Sequence, residues 1–482
     1  MFRSISRAFA ALASFGVLTS ALAGGYTLPQ YQARFNRSQP VIAVVAYNPA
    51  TEITDFVVPY GLLAESGAAE VMALSTDEGP VQTSAGPRFG VHATLAQFDA
   101  RYPQGADYVV VPAVYEGEDY EPLLAWLRKQ AGLGAIIVGI CDGARTVASS
   151  GLLEGRRATT HWRTIDGMER KYPGTRWMRN TRYVSDGNVI TTSGVSASIP
   201  ISIALVEAIA GRAHAEALAR TVGASDWSSR HNSEQFRLTA GAALTLLANK
   251  LSVWGHERLG IAVTPQVDEI RVALIADAYH RTRRSPTFTV SASREPVKSR
   301  RGLVVFPDRA PGERPAPDRM LSLLEEWLPV QALDRALEAI AASYGRRTAA
   351  LVALTMEYEW KSADAKRPAS REFGLGPRPS ARQVYAATLQ PRQPLRVRHM
   401  QTLPVLITDA SGRPMEGVRI FVDGGMPEHG HGLPTQPQVR RTLGGGVYEI
   451  EGLRFNMGGW WELRLAIESP AGADSVTFNL SL

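Results

Sequence analysis

The chain has 482 residues, too many for one ordinary domain and suited to two to four. Hydrophobic residues at 45% and charged residues at 20% describe a globular chain and exclude a disordered or collagen-like one. The net charge of +6 is local, because nine Lys and Arg against Asp364 and Glu372 lie in residues 361–398; a nucleic-acid-coating protein is excluded, and a single cysteine, Cys141, excludes a disulfide framework and multi-cysteine metal sites.

Residues 1–23 read as a secretory signal. Arg3 and Arg7 precede an apolar run from Ala8 to Ala21, and Ala21-Leu22-Ala23 gives a small-x-small cleavage pattern before Gly24. The run is shorter than the roughly 18–20 apolar residues of a membrane-spanning helix. The expected mature protein is exported, to the periplasm or beyond.

From Pro40 to Gly211 buried strands alternate with amphipathic helices. Val41–Tyr47, Glu70–Ser75, Asp107–Pro112 and Gly134–Ile140 read as strands, and Phe56–Ser66, Leu123–Gln130 and Arg145–Leu153 as helices. This order implies right-handed crossovers and an α/β sandwich of flavodoxin-like type with a parallel sheet. Residues 213–360 begin with the apolar, helical Phe236–Trp254 and then echo the first domain. Gly260–Val263 answers Val41–Val45, Thr287–Ser291 answers Val71–Ser75, and Pro296–Gly302 answers Pro80–Gly86. We read a degenerate second α/β copy, or a helical region, without the cysteine. Residues 361–397 have the composition of a basic, Pro-rich linker, a solvated stretch or one that meets an anionic surface. Residues 398–482 alternate as short strands between turn residues and predict an immunoglobulin-like β-sandwich.

Gly139-Ile140-Cys141-Asp142-Gly143 joins a buried strand to a helix. That is the placement of a nucleophile elbow, in which small residues flank a sharp turn that presents the nucleophile. The helix dipole and the backbone N–H groups of the turn favour a thiolate and an oxyanion. The neighbouring Asp142 opposes a thiolate unless it turns to solvent. On balance a depressed thiol pKa is expected.

Gly139–Trp162 (GICDGARTVASSGLLEGRRATTHW), Asp55-Phe-Val-Val-Pro59 and Val189–Ala197 (VITTSGVSA) together resemble the PfpI-type proteins of the class I glutamine amidotransferase-like superfamily. The similarity is nearest to the amidase-like domain of AraC-type regulators and to isonitrile hydratases, and covers residues 40–212. It implies a cysteine-dependent hydrolase or hydratase acting on a small molecule without a cofactor, with Cys141 as nucleophile and Asp55 as its acidic partner. Glu52 is the rival acid, and His161 is either a base or a packed neighbour. Homodimers are common in such domains. A ligand-binding sensor or a regulator-derived domain is the alternative. The pattern also departs from the family. Asp142 stands where some members have His, and Ala113-Val-Tyr-Glu-Gly117 replaces a glycine pair.

Near the C-terminus, Met426-Pro-Glu-His429-Gly-His431-Gly and Met457 offer imidazoles and thioethers, a donor set that suits copper. The same residues also fit a structural loop. With Tyr448–Trp461, the segment resembles the YtkA-like domain of exported proteins.

Overall fold

The computed structural model describes residues 27–252, 255–360, 374–380, 383–426, 431–470 and 472–482. The signal segment and residues 361–373 of the linker lie outside these. Among the described residues no helix is long and apolar enough to cross a membrane.

The first domain runs β1 (Val41–Ala46), α1 (Ile53–Ser66), β2 (Glu70–Ser75), the hairpin β3 (Val81–Gln82) and β4 (Arg88–Gly90), and β5 (Ala93–Thr94). It continues through α2 (Leu95–Arg101), β6 (Tyr108–Val111), α3 (Glu121–Gly132), β7 (Ile136–Gly139) and α4 (Gly143–Ser149). After the short β8 (Arg157–Ala158), α5 (Ile165–Lys171) and β9 (Arg176–Trp177) come β10 (Tyr183–Asp186), β11 (Val189–Thr192), α6 (Ser198–Ala210) and α7 (Arg212–Val222). Seven strands form one sheet in the order β10-β11-β7-β6-β1-β2-β5, parallel except for β10. The central strands are apolar throughout because both sheet faces are covered, so β1 and β6 are buried at every position. The expected strands and helices stand, with ends shifted by a few residues.

Residues 213–360 are α/β as well. After α8 (Ala240–Leu251) the chain runs β12 (Leu259–Ala262), α9 (Glu269–Arg281), β13 (Thr287–Val290), the hairpin β14 (Val297–Lys298) and β15 (Val304–Phe306), β16 (Arg319–Leu321), α10 (Ala332–Tyr344) and α11 (Arg346–Met356). The second parallel sheet has the order β13-β12-β16, as the first has β2-β1-β6. The echo in the sequence is therefore a structural repeat. The N-caps of α1 and α9, Glu52 and Asp268, are 216 residues apart, and so are the hairpin glycines Gly86 (φ 109°) and Gly302 (φ 106°). The two closing helix pairs turn on Gly211 (φ 86°) and Gly345 (φ 85°). Among the described residues the second repeat has no counterpart of β7, the elbow, β10 or β11; a short connection from β16 to α10 stands in their place.

The two repeats pack face to face. Helix α1 lies on α9, and β4 pairs antiparallel with β15, Phe89 opposite Val305, so the two hairpins make one four-stranded sheet. One apolar core spans both repeats, from Ile42 and Phe56 to Ile270 and Leu274. The apolar Phe236–Trp254 run behaves otherwise than expected of core. In α8 the leucines 244, 247 and 251 face outward.

The C-terminal domain is an antiparallel β-sandwich, and it starts earlier than expected. Residues read as linker supply β17 (Arg378–Pro379) and β18 (Tyr385–Leu389). Tyr385, Ala387 and Leu389 alternate onto the core, and that apolar alternation outweighs the Pro-rich composition around it. The rest comprises β19 (Gln401–Asp409), β20 (Arg419–Met426), β21 (His431–Gly432), β22 (Gln438–Gly444), β23 (Val447–Leu453), β24 (Trp460–Ser469) and β25 (Gly472–Ser481). The sheet curls until β17 and β25 approach one another, enclosing Trp461, Phe455 and Phe478. Trp461 is buried and its neighbour Trp460 is not, as strand alternation requires.

Candidate active site

The elbow forms where β7 ends. Cys141 sits in the left-handed region at φ 54°, a conformation that costs a non-glycine residue roughly 1–3 kcal/mol and persists only where surrounding structure enforces it. Two hydroxyls hold it there. The Cys141 N–H donates to Thr192 Oγ1 (3.1 Å), and Thr160 Oγ1 donates to the Cys141 carbonyl (3.1 Å). Gly143 must be glycine, because a Cβ would collide with the Val111 carbonyl at the end of β6. Gly139 lies against the Ala144 backbone across the same turn. Asp142 does not turn to solvent. Its Oδ1 accepts from Thr164 Oγ1 (2.6 Å) and Thr160 Oγ1 (3.2 Å).

Asp55 lies in the first turn of α1, fully buried, with Oδ2 accepting from the Ala113 N–H (3.2 Å). Glu52 caps that turn. Its Oε2 accepts from the Asp55 N–H (2.7 Å), and its Oε1 accepts from Arg281 (2.9 Å) of the second repeat. Arg281 also donates to Asp277 (2.8 Å) and to the Thr355 carbonyl (3.0 Å), and Asp277 accepts from Thr54 (3.0 Å) on α1. Burial pushes Asp55 well above the usual carboxyl range, against the Ala113 N–H and Arg281, which favour its charged form. Burial raises Glu52 as well, helped by Asp277 and Asp55 and opposed by Arg281.

The expected depression of the thiol pKa is overturned. Cys141 is 4% exposed, and burial pushes its pKa well up, with Asp55, Asp142 and Glu52 adding to the rise and Arg281 opposing it. The helix dipole acts only locally and is screened in water, whereas removing a thiolate from water penalises the full charge. Burial thus favours the neutral form of both the Cys141 thiol and the Asp55 carboxyl.

His161 is buried and engaged at both ring nitrogens. Nδ1 accepts from the Arg163 N–H (3.2 Å), which leaves Nε2 to donate to the Thr355 carbonyl (3.2 Å). That arrangement makes it a clamp between the two repeats. Glu357, absent from the sequence reading, is the unexpected member. It ends α11 at φ 55°, with its carboxylate fully buried and accepting from the N–H groups of Gly194 (2.7 Å) and Trp162 (3.1 Å) and from His231 Nε2 (2.8 Å). Gly194 has to be glycine because a Cβ there would meet Glu357. A cleft of about 510 Å³ lies beside the elbow, lined by Thr159, Thr160, Trp162, Ser193 and Phe236. Arg281, Asp277 and Glu357 come from a repeat without a nucleophile, so no local motif marks them.

In the C-terminal domain Met426 is buried, and β20–β21 pairing sets it opposite His431. The Met426 methyl packs at Gly459, two residues past the half-exposed Met457. His429 lies outside the described residues. Among the described residues no three His, Cys, Asp or Glu gather as a metal site.

The DJ-1/PfpI family matches residues 41–208, and the YtkA-like family matches residues 380–466. The HTH-type transcriptional regulator CdhR of Pseudomonas aeruginosa is 29% identical over 237 residues, 48% of this chain and 60% of that protein, so the chain spans less than two thirds of it. The isonitrile hydratase of Pseudomonas putida is 28% identical over 166 residues, 34% of this chain and 69% of that protein. The crystal structure of Drosophila melanogaster DJ-1beta is 21% identical with a TM-score of 0.35, covering 39% of this chain and all of that one. By residues 41–208 the chain belongs to the DJ-1/PfpI family, and by residues 380–466 it carries a YtkA-like domain.

Proposed function

We propose that this is an exported protein in which Cys141 attacks the electrophilic carbon of a small amide- or nitrile-type molecule. The observation that carries the reading is Cys141 itself, a non-glycine residue held at φ 54° on an elbow whose Gly143 is fitted to the Val111 carbonyl. Nothing about packing a small side chain asks for that conformation. Similarity to an isonitrile hydratase supports the reaction class.

The protonation states suggest the order of events. As the sulfur bonds to carbon, Asp55 receives the thiol proton and gives its own to the substrate. On a nitrile S–H adds across the C≡N bond to give a thioimidate, and on an isonitrile both S and H end on the terminal carbon. On an amide the C–N bond breaks as the nitrogen leaves with the proton, and a thioester forms. Water then displaces the sulfur and the thiol is regenerated. No cofactor takes part. Turnover of a panel of amides, nitriles and isonitriles tests this. We expect activity on at least one class, lost in Cys141→Ala and reduced about 100-fold or more in Asp55→Asn. A panel left untouched would favour the second reading, a ligand-binding sensor, which the 4% exposure of Cys141 supports. Export is tested by intact mass from a periplasmic extract, expected to begin at Gly24.

A further inference from the structure

The second repeat has kept its packing helices and lost its nucleophile, and its best-placed charged side chain is spent on the other repeat's site. Arg281, on the last turn of α9, is 12% exposed and uses Nε on Asp277, Nη1 on the Thr355 carbonyl and Nη2 on Glu52. Glu52 in turn has one oxygen on Arg281 and the other on the Asp55 N–H. We infer that the second repeat is a fixed, built-in partner of the thiol site, with Arg281 as the positioning residue that fixes the Asp55 carboxyl through Glu52. The inference rests on the reading of Cys141 as a nucleophile.

Pseudo-symmetry strengthens it. The residue 216 positions before Arg281 is Glu65, on the last turn of α1. Glu65 reaches across the same interface to Arg301 (2.6 Å) of the second repeat. Two first repeats packed in the same way would therefore set Glu65 against Glu52, two acids in a buried place. The first repeat cannot complete its site with a second copy of itself. The charge reversal at this one position makes the pairing heterotypic, which turns the expected homodimer contact into an intramolecular one. The charged and titratable groups that act on the thiol are then Asp55 and its cap Glu52, Asp142 from the elbow, Arg281 from α9 and Tyr115 after β6, with Asp277 holding Arg281.

If Arg281 leaves, Glu52 loses the cation on Oε1 while remaining buried. It then takes up a proton, which weakens its acceptance from the Asp55 N–H, or moves, which removes it, and either change loosens the cap that orients Asp55. A purely structural contact would change stability and leave the thiol alone. Cys141 is the single cysteine, so iodoacetamide alkylation against pH reports on it without a known substrate. We expect Arg281→Gln to move the inflection upward by about one pH unit, a tenfold loss of thiolate at a given pH. Arg281→Glu should move it further, and Arg281→Lys should restore most of the parent profile. Arg258→Gln, which breaks the exposed pair with Asp318 in the same repeat, serves as the control and should not move it. If Arg281→Gln does not fold, Thr54→Val removes the hydroxyl bonded to Asp277 without changing charge and should give a smaller upward shift. Arg281 or Thr54 profiles that superimpose on a parent sensitive to Asp55→Asn would overturn this inference alone. A parent thiol that reacts only on global unfolding would overturn the nucleophile reading and this inference with it.

Discussion

The two repeats start from the same plan and differ most at equivalent positions. Three residues into α1 stands Asp55, buried beside the elbow, while three residues into α9 stands Arg271. Arg271 donates to the carbonyls of Leu324 and Trp327, in the short connection that replaces everything from β7 to β11. At the end of the helix pairs, α7 closes on Gly223 in the left-handed region, and α11 closes on Glu357 in the same conformation. An acid and a glycine in one copy are answered by an arginine and an acid in the other. The duplicated scaffold has divided its labour. One copy carries the cysteine elbow, and the other spends its charged side chains on the Glu52 cap of α1 and on its own shortened loop.

The two repeats depend on each other most at the hairpin interface. Phe89 is fully buried where β4 meets β15, and Phe89→Ala should cost about 3–5 kcal/mol in urea unfolding, shared by both repeats because their core is continuous. A separate early transition for residues 213–360 would show that the repeats are independent units.

Glu357 gives the next largest effect. Glu357→Gly restores the residue of the other repeat and relieves roughly 1 kcal/mol of backbone strain. It also strips the Gly194 and Trp162 N–H groups and His231 of their acceptor, at about 1–3 kcal/mol for each buried group left unpaired. Net destabilisation is the expected result by thermal melting. A more stable variant would mean that the carboxylate contributes less than the strain.

Asp55→Asn should act in the opposite direction. A carboxyl whose pKa is raised in the folded state costs stability as pH climbs above its unfolded value near 3.9, and costs nothing below it. The variant should therefore melt higher than the parent at pH 8, by about 2–4 °C, with the gap closing as pH falls toward 4. An unchanging gap would place the effect in packing rather than in the proton.

The smallest effect is reserved for the C-terminal domain. We propose weak copper binding there, lost in the His429→Ala/His431→Ala double variant and measured by calorimetry on the full chain. Heats identical to the double variant's would leave the histidines as loop residues.

The elbow was legible because its requirements are local. A strand, a cysteine and two glycines within five residues can be read from the chain, and Asp55 lies at a fixed offset from Pro59 in a matched motif. The repeat was legible in fragments, through Pro80–Gly86 and Pro296–Gly302, since a hairpin glycine at positive φ tolerates little else. The state of the thiol was misread because the dipole of a helix is visible in sequence, while the burial that outweighs it is not. The β18 strand was missed because its apolar alternation is short and surrounded by proline and charge.

The amino-acid order by itself determined most elements of the first domain and the glycine-flanked cysteine turn, and left residues 213–360 as a degenerate second copy or a helical region. Each follows from dihedral preference and apolar periodicity over a few neighbouring residues. The tertiary structure alone decided that Arg281 and Glu357 meet residues more than a hundred positions earlier in the chain, and that burial favours the neutral thiol of Cys141. Those outcomes depend on which groups share a buried volume, and electrostatics in such a volume follows distance in space, without regard to separation along the chain.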